Sequence, residues 1–268
     1  MARAAVALRK SQRIRFASLG SGSKGNATLV SCGKTHLLID CGFAMKETTR
    51  RLQRLGLEPE QLSAVLITHE HGDHIGGAGA LVRRYQLPLY TTSGTKISGR
   101  LNGDVPDWRP INPERSFAIN DLEIWPVTVP HDAREPVQFV ISDGAHRLGI
   151  LTDLGSITPH VVRHYQDCQA LVLEANHDPE LLARGPYPAS LKRRVGGDFG
   201  HLSNQQAADF LTQMATEKLT HLVASHLSEQ NNEPNLACST LAEAINTTAD
   251  WITLADQAEG FGWRDIQA

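Results

Sequence analysis

The segment LITHEHGDHIGG carries four potential metal-binding side chains within six residues, namely His69, His71, Asp73 and His74. They follow the apolar run SAVLIT, which predicts a buried strand, and the two-residue period of extended backbone directs His69 and His71 to the same side. Gly72 permits a sharp turn after them. Imidazole and carboxylate groups at this density are typical ligands of zinc or a similar divalent ion, and the alternative is a polar surface loop.

Three further candidates lie where a predicted strand meets a loop. His131 follows the strand LEIWPVTVP, Asp153 follows HRLGIL, and His226 follows THLVAS. Functional side chains are common at such junctions, but each of these residues taken singly is more often an ordinary loop residue. Taken together with the histidine-rich segment, they favour a metal site that is built from the ends of several strands.

The elements that would position these residues are strands in runs, followed by strands alternating with helices. The first third contains the predicted strands IRFASL, ATLVS and THLLIDCG, and helical patterns cover residues 74–86 and 178–195. This order predicts an α/β or α+β domain of layered sheets and helices. No linker rich in Pro, Ser or Gly divides the chain, so we expect a single domain at residues 13–268 after a loose tail at residues 1–12.

Composition narrows the class of protein. A chain of 268 residues with 41% hydrophobic content can bury a large core, and its net charge of -3 does not predict strong non-specific binding of nucleic acid by the whole chain. The four cysteines form no C-x-x-C pair, which favours free thiols in a reducing cytoplasm. No apolar run is long enough for a membrane span, and we expect no membrane partner.

The loop SLGSGSKGN has the spacing G-x-G-x-x-G, which is shared by several nucleotide-binding loops. Strand-like runs lie on both sides of Gly20, Gly22 and Gly25, so a hairpin is predicted where a dinucleotide site requires a helix. Asn26 stands where the Walker motif requires Lys. The remaining alternatives are a simple turn and a cradle of backbone N–H groups beside another active site.

The order of LLIDCG, THEHGDH, PHDA, LTDLG and ASHLS resembles the metallo-β-lactamase superfold over nearly the whole chain. The resemblance implies a four-layer αβ/βα sandwich with a dinuclear metal site between its two sheets. It implies two divalent ions per chain, for which Zn²⁺ is favoured and Mn²⁺ or Fe²⁺ are alternatives.

The resemblance also implies a role for each candidate ligand. The residues implied for the first ion are His69, His71 and His131. Those implied for the second ion are Asp73, His74 and His226, and Asp73 is also counted among the catalytic residues. Asp153 would bridge the ions, and Asp40 would orient the ligand loop from behind.

Further motifs are similar to one branch of this superfold, that of YycJ (WalJ). SGSKGN, EANHD, YPASLKRR, GHLSN and HLSEQNN occur in the order typical of that branch, whose members are described as 5′→3′ exonucleases acting on DNA. The resemblance implies that a metal-bridged hydroxide hydrolyses phosphodiester bonds, with nucleic acid as the partner. The alternatives are a small-molecule phosphodiesterase, a thioesterase- or lactonase-type hydrolase, and a non-catalytic metal-binding protein.

His201 is the candidate proton donor for the leaving alkoxide, and Glu174 would hold its imidazole in the required tautomer. The alternative for His201 is a residue that caps the helix SNQQAADF. Substrate contacts are expected from the glycine loop, from the basic run LKRR, which otherwise is a solvated face, and from the segment after His226. The residues assigned to substrate are Ser21, Ser23, Asn26, Lys192, Arg193, Arg194 and Asn231.

Overall fold

The computed structural model describes residues 13–113 and 115–266, so the predicted tail at residues 1–12 lies outside the described residues. The strands are, in chain order, β1 (Arg15–Gly20), β2 (Ala27–Cys32), β3 (Thr35–Ile39), β4 (Ala64–Leu66), β5 (Leu89–Thr92), β6 (Trp108–Ile111), β7 (Phe117–Ile119), β8 (Leu122–Thr128), β9 (Val137–Ser142), β10 (Arg147–Leu151), β11 (Ala170–Glu174), β12 (His221–Ser225), β13 (Thr253–Leu254) and β14 (Phe261–Asp265). The α-helices are α1 (Met45–Arg54), α2 (Gly72–Ile75), α3 (Ala78–Tyr85), α4 (Ser93–Ile97), α5 (Pro159–Tyr165), α6 (Pro179–Arg184), α7 (Ala189–Val195), α8 (Asn204–Thr212) and α9 (Pro234–Ala244).

The strands form two seven-stranded sheets, each of which is partly antiparallel and partly parallel. The first sheet has the order β14-β1-β2-β3-β4-β5-β6 and is parallel from β3 to β6. The second has the order β13-β12-β11-β10-β9-β8-β7 and is parallel from β13 to β10. Neighbouring parallel strands end at the same edge of a sheet, so the loops after β3 and β4, and those after β10, β11 and β12, form two adjacent groups.

Alternating side chains divide the strands between an inner and an outer core. In β3, Leu37 and Ile39 pack between the sheets, whereas Leu38 packs against α1 and α3 on the outside. In β11, Val172 faces the inner core and Leu171 faces the outer core under α5, α8 and α9. The layers are therefore helix, sheet, sheet and helix, which confirms the predicted αβ/βα sandwich.

Two predicted helices are each interrupted. The pattern at residues 178–195 forms α6 and α7, because Pro186 and Pro188 lie between them and proline cannot continue a helix. The pattern at residues 74–86 forms α2 and α3, which are separated by two glycines. A Cβ at the second of these, Gly77, would lie 1.9 Å from the backbone oxygen of Phe43.

Three elements, α4, β6 and β14, were not predicted. β6 includes Pro110 and lies at the edge of its sheet with two exposed residues, so it lacks the alternation that marks a half-buried strand. β14 pairs with β1 from the far end of the chain. The single domain at residues 13–268 stays a prediction. Among the described residues, no helix is long and apolar enough to cross a bilayer.

The glycine loop connects β1 and β2, which pair antiparallel, and this confirms the predicted hairpin. Gly25 adopts a φ of +148°, and a Cβ there would lie 2.6 Å from the ring of Phe43. Asn26 N donates to Asp73 O at 2.7 Å, so the hairpin is joined to the start of α2. The glycines therefore allow the hairpin to pack closely against the histidine-rich segment.

We predict that Gly42→Ala lowers the free energy of unfolding by about 1–3 kcal/mol, because the added Cβ overpacks a tight contact. That Cβ would lie 1.8 Å from the backbone oxygen of Asp73 and would push the loop after β3 away from α2. Urea denaturation measures the change. Gly262→Ala is the matched control, since a Cβ at Gly262 meets no atom within 4 Å. An equal loss in the two variants would contradict the prediction.

Candidate metal centre

The predicted ligands converge on the edge where the parallel strands of both sheets end. Ligand atoms within 4.8 Å of one another form one group of His69, His71 and His131 and a second group of Asp73, His74 and His226. Asp153 forms a third such group with His69 and His74. The structure thus brings all seven residues close together, and their assignment to two ions stays a prediction.

The hydrogen bonds behind these residues leave ligand atoms free. His69 is fully buried, its Nδ1 lies 2.9 Å from Thr68 Oγ1, and its Nε2 has no hydrogen-bond partner in the described chain. A buried nitrogen without a partner is unfavourable, and coordination of a cation would satisfy it. The donor set of histidines and aspartates therefore fits a divalent metal ion.

Asp40 links the two strands that carry the first group of loops. Its Oδ2 accepts from His74 Nδ1 at 2.8 Å, and its Oδ1 accepts from Thr68 N at 2.8 Å. Thr68 Oγ1 also contacts Asp40 Oδ2 at 2.9 Å, so the chain of hydrogen bonds extends through Thr68 to His69. These contacts hold two imidazole rings in one orientation.

The electrostatics of the site favour a cation. Burial acts to lower the pKa of His74, but the carboxylates of Asp153, Asp40 and Asp73 together raise it well above its ordinary value. Burial acts to raise the pKa of Asp73 and of Asp153, and the surrounding imidazoles lower both. The site therefore concentrates ionised carboxylates, which would attract a divalent cation.

Three residues of the site have left-handed backbone conformations. Asp40 has a φ of 62°, Asp153 a φ of 51° and His226 a φ of 53°. Each follows a strand of the parallel part of a sheet, and each turns the chain sharply at the strand end. Such conformations are costly for residues other than glycine, persist where the surroundings hold them, and cluster at functional sites.

Glu174 and His201, the predicted proton-donor pair, are in direct contact. His201 Nδ1 donates to Glu174 Oε1 at 2.7 Å, and Glu174 is fully buried at the end of β11. Glu174 Oε2 also accepts from the backbone of Leu154 and Leu202. Burial alone would raise the pKa of Glu174, but His201 and His226 lower it to about 2. The carboxylate is therefore ionised and fixed on several sides.

Glu174 has a second contact that sequence reasoning missed. His226 Nδ1 lies 3.2 Å from Glu174 Oε1, and His226 O accepts from Asn176 Nδ2 at 2.9 Å. Glu174 and Asn176 both lie in the EANHD motif, which pointed to this segment but did not show that its residues contact His226. The motif therefore supports a candidate ligand as well as the candidate proton donor.

Several residues assigned to substrate are engaged inside the protein. Ser21 Oγ accepts from His226 N at 2.9 Å, and Asn26 Nδ2 donates to Asp73 Oδ2 at 3.2 Å. Asn231 is fully buried, whereas the exposed Ser23 lines the cleft above the ligands. A substrate contact through Ser21, Asn26 or Asn231 stays a prediction, and their burial instead favours a supporting role.

Four of the candidate ligands, His71, Asp73, Asp153 and His226, line an open cleft of about 350 Å³. The cleft is also lined by Arg100, Tyr187 and Leu191, which were not predicted as site residues. Tyr187 lies in a motif that resembles the YycJ branch, whereas Arg100 lies outside all the motifs and carries no signal of its own. Of the basic run, Arg194 lines the cleft, and Lys192 and Arg193 line a separate cavity.

Comparison with known proteins supports the motif-based resemblance. The family described as "Beta-lactamase superfamily domain" matches residues 35–226. The chain is 33% identical over 237 residues to exodeoxyribonuclease YycJ of Bacillus anthracis, covering 87% of this chain and 89% of that protein. It is 32% identical over 238 residues to exodeoxyribonuclease WalJ of Streptococcus pneumoniae, covering 86% and 88% of the two chains.

Solved structures share the fold at lower identity. The metallo-beta-lactamase fold protein YhfI of Bacillus subtilis has a TM-score of 0.74 and 16% identity, and the match covers 95% of this chain and 99% of that one. Zn²⁺-bound PqqB of Methylobacterium extorquens has a TM-score of 0.71 and 19% identity, covering 94% and 99%. The chain therefore belongs to the metallo-β-lactamase superfamily and, within it, to the family of YycJ and WalJ.

Proposed function

We propose that the protein is a metal-dependent hydrolase of phosphodiester bonds, namely a nuclease that removes nucleotides from the 5′ end of DNA. The observation that carries this proposal is the contact of 2.7 Å between His201 and Glu174 beside the two ligand groups. Hydrolysis of a phosphodiester expels an alkoxide that needs a proton, and such a pair supplies one. The full-length similarity to two exodeoxyribonucleases supports DNA as the substrate.

We assign two divalent ions to this site, most simply Zn²⁺ with Mn²⁺ or Fe²⁺ as alternatives, and the two ligand groups and Asp153 would hold them. When bound, such ions lower the pKa of a coordinated water and neutralise charge on the phosphate. Asp40 holds the His74 ring through Nδ1, so Nε2 of that ring would be the atom available to the second ion.

Glu174 accepts a hydrogen bond from His201 Nδ1 and so leaves Nε2 of that ring for the leaving group.

Arg194 at the cleft supplies positive charge near the substrate phosphate, and its Nε contacts Asp132 Oδ2 at 2.5 Å. We also infer a cytoplasmic location, which is supported by Cys41, Cys168 and Cys238 being buried free thiols. The cleft volume of about 350 Å³ would also suit a small phosphodiester, which is the second candidate substrate.

Metal-loaded protein is expected to release nucleotides stepwise from the 5′ end of labelled DNA, and Asp73→Ala is expected to abolish the release. Gel electrophoresis of 5′-labelled and 3′-labelled DNA and RNA shows which nucleic acid is cleaved and from which end. Release of p-nitrophenolate from bis(p-nitrophenyl) phosphate measures cleavage of a small diester. Cleavage of the small diester alone would favour the second candidate. Cleavage of none of them by protein with verified metal content would contradict the proposed function.

His201→Ala is expected to lower kcat on DNA by about 10²–10⁴-fold, because the leaving alkoxide loses its proton donor, while metal content stays unchanged. The loss on bis(p-nitrophenyl) phosphate should be much smaller, since p-nitrophenolate leaves without a proton. His160→Ala in α5 is the matched control. Loss of metal from His201→Ala would instead make His201 a ligand, as its grouping with Asp153 and His226 allows.

Asp40→Asn is expected to lower the affinity for Zn²⁺ by about 10–100-fold, because the buried carboxylate no longer orients His74. Competition with a chromogenic chelator measures the affinity without any substrate. Asp143→Asn is the matched control, since Asp143 contacts His146 at 3.1 Å outside the ligand groups. Unchanged affinity in Asp40→Asn would show that Asp40 does not support the ligands.

A further inference from the structure

Helix α7 divides the basic run LKRR between two cavities. Arg194 faces the cleft with the candidate ligands, together with Leu191. Lys192 and Arg193 line a second open cavity of about 450 Å³, bordered by α6 and by the start of α8. The positive charge of the run therefore does not act at one place, and the second cavity needs a separate explanation.

His177 lines this second cavity and has no role in the candidate metal centre. Its side chain is 3% exposed, and Nδ1 is buried without a hydrogen-bond partner in the part of the chain that the structure describes. The Nε2 atom faces the cavity wall at Gly196, where an added Cβ would lie 3.9 Å from it. A buried imidazole with a nitrogen that lacks a hydrogen-bond partner costs free energy, and Nε2 is the ring atom that a ligand in the cavity would contact.

The charge of this cavity is positive. Arg193 has no ion pair among the described residues, and Lys192 Nζ donates to Ala183 O at 2.6 Å, which joins α7 to α6 across the cavity. No carboxylate is among the described residues that line it. Uncompensated cations in a concave site favour an anion.

Part of the cavity wall is apolar. Pro179 and Leu182 of α6 contribute apolar surface, and Ser203 and Gln206 at the start of α8 contribute polar groups. A free phosphate would leave the apolar wall without a contact. A nucleotide combines an anionic phosphate with an apolar base and sugar, and the volume is within the range of small-molecule sites.

We propose that the cavity lined by His177, Lys192 and Arg193 binds a deoxynucleotide, with its phosphate at the two cations and the imidazole and its base or sugar against Pro179 and Leu182. This inference rests on the proposed function, because a nuclease acting on DNA encounters deoxynucleotides from two sources. One is a nucleotide of the substrate strand outside the metal cleft, and the other is the released mononucleotide.

The test is NMR spectroscopy of Zn²⁺-loaded protein carrying ¹⁵N-labelled histidine, titrated with dAMP. The His177 ring signals, assigned through His177→Gln, are expected to shift on addition of dAMP and to stay in place on addition of deoxyadenosine. Arg193→Gln is expected to weaken dAMP binding at His177 by about tenfold or more, since a charge-assisted hydrogen bond is lost. Arg84→Gln, an exposed arginine on α3, is the matched control and should bind as the wild type does.

His177 signals that neither dAMP nor a phosphorothioate oligonucleotide shifts would overturn the proposal, as would equal dAMP affinities of Arg193→Gln and the wild type. A shift with the oligonucleotide alone would support the site and identify the substrate strand as the source. The cleavage assay and the NMR titration test different proposals. Protein that cleaves DNA but shows no shift of the His177 signals would contradict only the proposed nucleotide site. Protein that binds dAMP at His177 but cleaves no DNA would contradict only the proposed function.

Discussion

The geometry of the site depends most on the hydrogen bonds of the buried Asp40 carboxylate. It lies just after β3 and accepts hydrogen bonds from His74 Nδ1 and from the backbone of Thr68, just after β4. A buried carboxylate is stable only when such donors satisfy it. The same contacts align the ends of two parallel strands and orient the ring of a candidate ligand, so local stability and site geometry share one cause.

Glu174 plays the corresponding part in the second sheet. It ends β11, is fully buried, and accepts from two backbone N–H groups as well as from His201 Nδ1. Each sheet thus ends in one buried carboxylate that contacts Nδ1 of a candidate site histidine, His74 in the first sheet and His201 in the second. The site is therefore supported from both sheets, and the inner core between the sheets keeps these supports at a constant separation.

This arrangement carries a conformational cost that the rest of the fold offsets. Asp40, Asp153 and His226 all adopt positive φ at strand ends, although none is glycine. The packed cores on both faces of each sheet hold these turns in place. The glycines of the first hairpin and Gly42 contribute in a different way, because they let neighbouring backbones approach closely without side chains in between.

The sequence by itself determined the parts of this protein that depend on local order. Alternating apolar residues predicted most strands, and the density of ligands from His69 to His74 predicted the metal site with its further members at strand ends. Tertiary structure alone decided which residues meet across the chain: the pairing of β14 with β1, the contact of Glu174 with His226, the approach of Arg100 to the cleft, and the division of LKRR by α7. Periodicity and turn residues act over a few positions and are visible in the sequence, whereas these contacts join distant segments and arise only when the sheets and helices pack.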